Sequence, residues 1–99
     1  MELSARVIEH FGSAGFRHTR IARGADFEVS LAELDGVIGG HEAASDQALL
    51  VLEGRVVCST SDEVLELGVG DAVRWQEGEW HETRSLEKSR LLLIEGAIQ

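Results

Sequence analysis

Turn signals punctuate this chain at intervals of roughly eight to twelve residues, the spacing of an all-β sandwich or barrel. Between them lie short stretches that alternate apolar and polar side chains. Phe27-Glu28-Val29-Ser30-Leu31-Ala32 is the clearest. Alternation with period two is the mark of a half-buried strand. The sequence holds no proline and 11 glycines, so glycine carries the turns. No stretch has the length and 3.6-residue rhythm of a long helix. The expected fold class is therefore all-β.

Taken in order, 2–10 reads as one helical turn or a short strand, and 11–16 as a loop broken by two glycines. A first strand is expected over 17–22 and a second from Phe27, ended by a tight turn at Asp35-Gly36. Residues 47–53 are strand-like but apolar on both faces: Leu49 and Val51 alternate with Leu50 and Leu52. A strand of a free-standing sheet is wet on one side, so this one is covered on both. Further strands follow over 55–58, 63–67, 72–75, 80–84 and 90–95. That makes eight or nine strands in one domain spanning 1–99, with an N-terminal arm (1–22) and a barrel core (27–95).

Composition excludes several partners. The net charge is −9, whereas nucleic acid and anionic membranes require a basic face. No apolar run is long enough to span a membrane. The start lacks a basic region followed by an apolar one, so no secretory leader is expected. The single cysteine, Cys58, cannot form an internal disulfide, which fits a reducing cytoplasm. Cys58 reads as a small apolar filler rather than a nucleophile.

Two histidines draw attention, His41 after Gly39-Gly40 and His81 after Gly78-Glu79-Trp80. They are expected on different strands that meet inside the barrel. Gly70, five residues, Gln76-Glu77-Gly78, two residues, His81, three residues and Ser85 resemble the second cupin motif, Gly-x5-Pro-x-Gly-x2-His-x3-Asn. Gln76 replaces its proline and Ser85 its asparagine. The first motif, Gly-x5-His-x-His-x3-4-Glu-x6-Gly, is matched by His41 and the closing Gly54. Ala43 stands where its second histidine belongs, Gln47 replaces its glutamate, and its leading glycine has no good match.

The resemblance implies a double-stranded β-helix, a small jelly-roll cupin barrel with a metal site at one mouth. Carried over residue by residue, the metal ligands are His41, Gln47 and His81. The ion would be a divalent transition metal such as zinc, nickel, iron, manganese or copper. Two imidazoles and an amide oxygen form a poor cage, because the glutamate's charge is missing. A hydrogen-bonded histidine pair in a polar cavity is the competing reading. Glu79 and Glu82 reach the site only if a loop bends inward.

Period-two geometry places Gln47, Leu49 and Val51 on one face of their strand, the lumen face if Gln47 points inward, and by the same rule His81 and Thr83 point in together. The expected ligand-binding residues are His41, Gln47, Trp75, His81 and Thr83, with Trp75 reading either as core or as ligand platform. His10 and His18 read as surface residues. Trp80 is expected to cover an interface or lie half exposed. Leu50 and Leu52 would face outward and need cover, so a homodimer is expected. The favoured function is binding of a small organic ligand in the barrel. A metal-dependent dioxygenase- or isomerase-like enzyme and a non-catalytic dimeric interaction or sensor domain are the alternatives.

Overall fold

The computed structural model describes residues 3–97. Nine strands run in order: β1 (Arg6–Ile8), β2 (Ala14–Arg23), β3 (Phe27–Glu42), β4 (Asp46–Glu53), β5 (Val56–Thr60), β6 (Val64–Leu67), β7 (Ala72–Trp75), β8 (Trp80–Ser85) and β9 (Ser89–Gly96). The ambiguous start resolves into β1 followed by one 3-10 turn, His10–Gly12. Every pairing is antiparallel.

β3 is the strand that makes this a jelly roll. Its first half lies between β2 and β9, and β4 and β7 extend that sheet. Its second half pairs with β8, which pairs with β5 and then β6. One strand thus belongs to both sheets and folds them over a shared interior.

The tight turn expected at Asp35-Gly36 does not form, because β3 runs straight through it. Gly36 is required for a different reason. A Cβ there would collide with the Ala14 carbonyl oxygen, where β2 crowds against β3. Ser85 then clamps the crossing: its hydroxyl donates to the Gly36 carbonyl at 3.1 Å and accepts from the Gly36 amide at 2.7 Å.

The interior is graded along the barrel. Leu34, Val51, Val56 and Leu91 are fully buried, each burial contributing on the order of 1.5–3 kcal/mol. Across β4 and β9 the inward rungs are Val51–Leu91, Leu49–Leu93 and Gln47–Glu95. Hydrocarbon fills one end, and the rungs become polar toward the other. That polar end is where the cavity opens.

Candidate functional site

His41 and His81 are direct cross-strand partners on β3 and β8. Their ring centroids are 4.5 Å apart, tilted by 56°. A regular strand would not deliver this. Ile38 pairs with Thr83 and His41 with His81, so three steps on β3 match two on β8. The extra residue is a β-bulge at Gly39-Gly40, and it turns His41 to the same side as Ile38. Both then line the cavity. The glycines also admit close neighbours: a Cβ on Gly39 would collide with the Phe11 carbonyl, and one on Gly40 with the Trp80 indole.

The backbone fixes which ring nitrogen is available. His41 Nδ1 donates to the Gly39 carbonyl at 2.8 Å, and His81 Nδ1 to the Glu79 carbonyl at 3.2 Å. A carbonyl only accepts, so each Nδ1 carries a proton, and in the neutral ring the lone pair is left on Nε2. Burial pushes the His81 pKa down, helped by the neighbouring His41 and opposed by the hydrogen bond to, and the charge of, Glu79. His81 is 3% exposed. It is a buried neutral base.

The rings form a continuous ladder. Phe11 stacks on His41 at 4.2 Å, and Trp75 stacks on His81 at 4.3 Å. Phe11 holds this place at a cost, since its φ of 59° is left-handed without being glycine. Trp75 is buried, and among the described residues its indole N–H has no hydrogen-bond partner. An orphaned buried donor is uncommon and expensive.

All five residues expected from the sequence, His41, Gln47, Trp75, His81 and Thr83, line one cavity of about 510 Å³. That is the size range of small-molecule sites. Thr83 is held by the buried Cys58 thiol at 3.6 Å. Burial raises the Cys58 pKa, so it stays a protonated filler. Leu50 is half-buried and Leu52 exposed on the outer face. Trp80 is partly exposed and packs over Gly40.

One expectation needs correction in part. His10 is exposed as expected, but His18 is half-buried, and the folded arm and β2 bring both to the cavity wall. Glu79 and Glu82 do not turn inward: Glu79 Oε1 accepts from the Gln76 amide at 3.1 Å, and Glu82 meets Arg84 at 3.6 Å. The carboxylates that do line the cavity, Glu28 and Glu95, were not singled out, nor was Phe11. Counting by twos from Leu91 through Leu93 gives Glu95 the inward face. Only the register against Gln47 shows which face that is.

Residues 32–95, more than half of the chain, match the family model described as the cupin domain. The chain belongs to the cupin family. No curated protein matches it in sequence. Solved cupins share the fold. An RmlC-like cupin from Shewanella frigidimarina superposes with a TM-score of 0.86 at 14% identity, covering 99% of this chain and 86% of that one. KdgF from Halomonas sp. gives 0.80 at 21% identity, covering 97% and 88%. A cupin-2 domain protein, also from Shewanella frigidimarina, gives 0.70 at 25% identity, covering 79% and 78%.

This cupin does not fit the family's metal. Among the described residues, no group of three or more histidine, cysteine, aspartate or glutamate side chains converges on one point. Ala43, in the second histidine's place, is buried and strapped to the motif-two loop, its N–H donating to Glu79 O at 3.0 Å and its carbonyl accepting from Gly78 N at 2.8 Å. Two neutral imidazoles and the Gln47 amide supply no negative charge to a divalent ion. What the site offers instead is nitrogen acceptors, an indole donor, apolar walls and, on the β3–β9 side of the cavity, the Glu28 and Glu95 carboxylates.

Proposed function

We propose that this cupin binds a small organic molecule in its barrel, without a resident metal. The pair of histidines carries the reading. Both Nδ1 atoms are tied to backbone carbonyls, and both Nε2 atoms are left as acceptors beside the cavity. A ligand hydroxyl or N–H would donate to them, a ligand acceptor would satisfy Trp75, and Gln47 and Thr83 would orient it. The dioxygenase- or isomerase-like alternative needs a metal held by His41, Gln47 and His81, and the missing negative ligand weighs against it.

The test is thermal melting of the purified protein against a panel of small organic molecules. A binder raises Tm in proportion to ln(1 + [L]/Kd). The effect should disappear in His81→Ala, with no metal required and chelator without influence. A panel that leaves Tm unmoved, or shifts that chelator abolishes, would count against this reading.

A homodimer belongs to the same proposal. On the outer face, Leu31 and Leu50 both pair with Leu92, while Val29 and Ala48 both pair with Ile94. These form an apolar ladder across three strands, and among the described residues no helix covers it. A second copy would bury it. Light scattering at micromolar concentration should give twice the monomer mass. A buried free thiol and no transmembrane helix among the described residues agree with a reducing location such as the cytoplasm.

A further inference from the structure

Among the described residues, one carboxylate in the cavity has no ion-pair partner. Glu95 lines the cavity and pairs with Glu28 on β3 and Gln47 on β4. Glu28 is held by Arg20. No ion pair or hydrogen bond among the described residues reaches the Glu95 side chain. The titratable groups that act on it are Glu28 and His41 from β3 and His18 from β2, while β4 contributes only the neutral Gln47. Burial, and then the charge of Glu28, push the Glu95 pKa up, and His18 and His41 draw it down by less. A partly buried carboxylate beside a second one is costly unless a positive charge arrives.

The surroundings of Glu95 restrict what that positive charge can be attached to. The next inward rung is Leu49–Leu93, and both line the cavity. Phe11 and Trp75 also line the cavity, each with one face taken by a histidine, and an aromatic face favours a cation over a neutral group. Trp75, 4% exposed on the same cavity, has an indole N–H with no partner among the described residues. Arg6 also lines the cavity but is exposed, so its repulsion is screened. A bare metal ion would find no hydrocarbon use for these walls, and an anion would meet two carboxylates. The net charge of −9 draws cations toward the molecule.

We propose that the cavity takes a small organic cation, an alkylammonium of a few carbons, with its charge at Glu95 and its hydrocarbon against Leu49, Leu93 and Trp75. This rests on the lumen being a ligand site and adds the charge and shape of the ligand.

The experiment compares n-butylammonium chloride, n-butanol and sodium butyrate as probes of similar shape and different charge. Binding to the full chain is followed by calorimetry and by the Trp75 indole N–H resonance. Butylammonium should bind about ten-fold or more tighter than butanol, a difference of about 1.4 kcal/mol. Butyrate should be weakest. Glu95→Gln should erase the preference for the cation, and Glu95→Asp should keep it. Butanol or butyrate binding as tightly as butylammonium overturns the cation but leaves the lumen as a ligand site. So does a preference that survives in Glu95→Gln. If no probe perturbs Trp75, both the cation and the ligand site fall. Should Glu95→Gln not fold, the comparison of three probes on the unaltered protein still decides.

Discussion

Gln47 and Glu95 sit directly opposite each other on β4 and β9, on the rung where the interior changes from hydrocarbon to polar. This pairing sets a negative charge into a wall whose next two rungs are apolar. The protein keeps that charge at a cost, since burial raises the Glu95 pKa. A carboxyl whose folded pKa lies above its unfolded value stabilises the fold while protonated. That contribution is complete below the unfolded value of 4.5 and is lost as pH rises through the folded one.

Glu95→Gln should therefore stabilise the protein more at neutral than at acid pH, because the cost falls on the ionised carboxylate. The amide keeps the shape and removes the charge. A Tm increase of about 2–5 °C at pH 7, shrinking toward zero near pH 4, is expected from the size of such effects in a domain this small. Thermal melts of both proteins across that range check it. An increase that does not depend on pH would mean that the charge is not the cause. A residue that costs stability at a cavity wall is the usual trade between a fold and its site.

His81 acts with the opposite sign. Its folded pKa is lowered, mainly by burial, so the unfolded chain takes up a proton more readily. The stability this neutral histidine allows is full above the unfolded value of 6.5 and falls as pH drops below it toward the folded pKa. Titration by NMR should show the His81 ring taking up its proton at a lower pH than a free histidine. In His81→Gln the stability loss just below pH 6.5 should be smaller than in the unaltered protein.

Phe11 balances two small effects against each other. Its left-handed backbone costs roughly 1–2 kcal/mol. Its stack on His41 returns about 0.5–1.5 kcal/mol. Phe11→Gly removes both, so overall stability should change by less than about 1 kcal/mol in chemical denaturation. The site should change more, because the ring that covers one face of His41 is gone. Faster ligand association, or faster modification of His41 by a histidine-directed reagent, would report that opening. A large loss of stability would mean that Phe11 packs more strongly than its stack implies.

Much of this was legible in the sequence, and particular residues show where legibility stopped. The alternating runs gave the strands, and the motif glycines and histidines gave the barrel and the five cavity residues. Asp35-Gly36 misled because a turn dipeptide and a crowded strand crossing call for the same glycine. Counting by twos through Gly39-Gly40 would put His41 on the wrong face relative to Ile38, and only the bulge restores it. Glu95 was invisible because a strand's two faces are equivalent until a partner fixes the register. His10 and His18 were missed because nothing local says that the arm folds back across the mouth.

Gln47→Glu tests the reading of the site as metal-free. The substitution restores a carboxylate at the motif position where this chain has an amide. With His41 and His81 already paired and each Nδ1 tied to the backbone, which leaves Nε2 as the ligating atom of the neutral ring, that single charge completes a two-histidine, one-carboxylate set. Zinc or nickel affinity by calorimetry should rise about ten-fold or more over the unaltered protein, equivalent to about 1.4 kcal/mol. Without metal, the new charge faces Glu95 across one rung, so the variant should melt lower at pH 7 and recover when metal is added. His81→Ala in the same background should abolish both the affinity and the recovery. If the unaltered protein already binds the ion as tightly as the variant, Gln47 is an adequate ligand and the cavity is a metal centre after all.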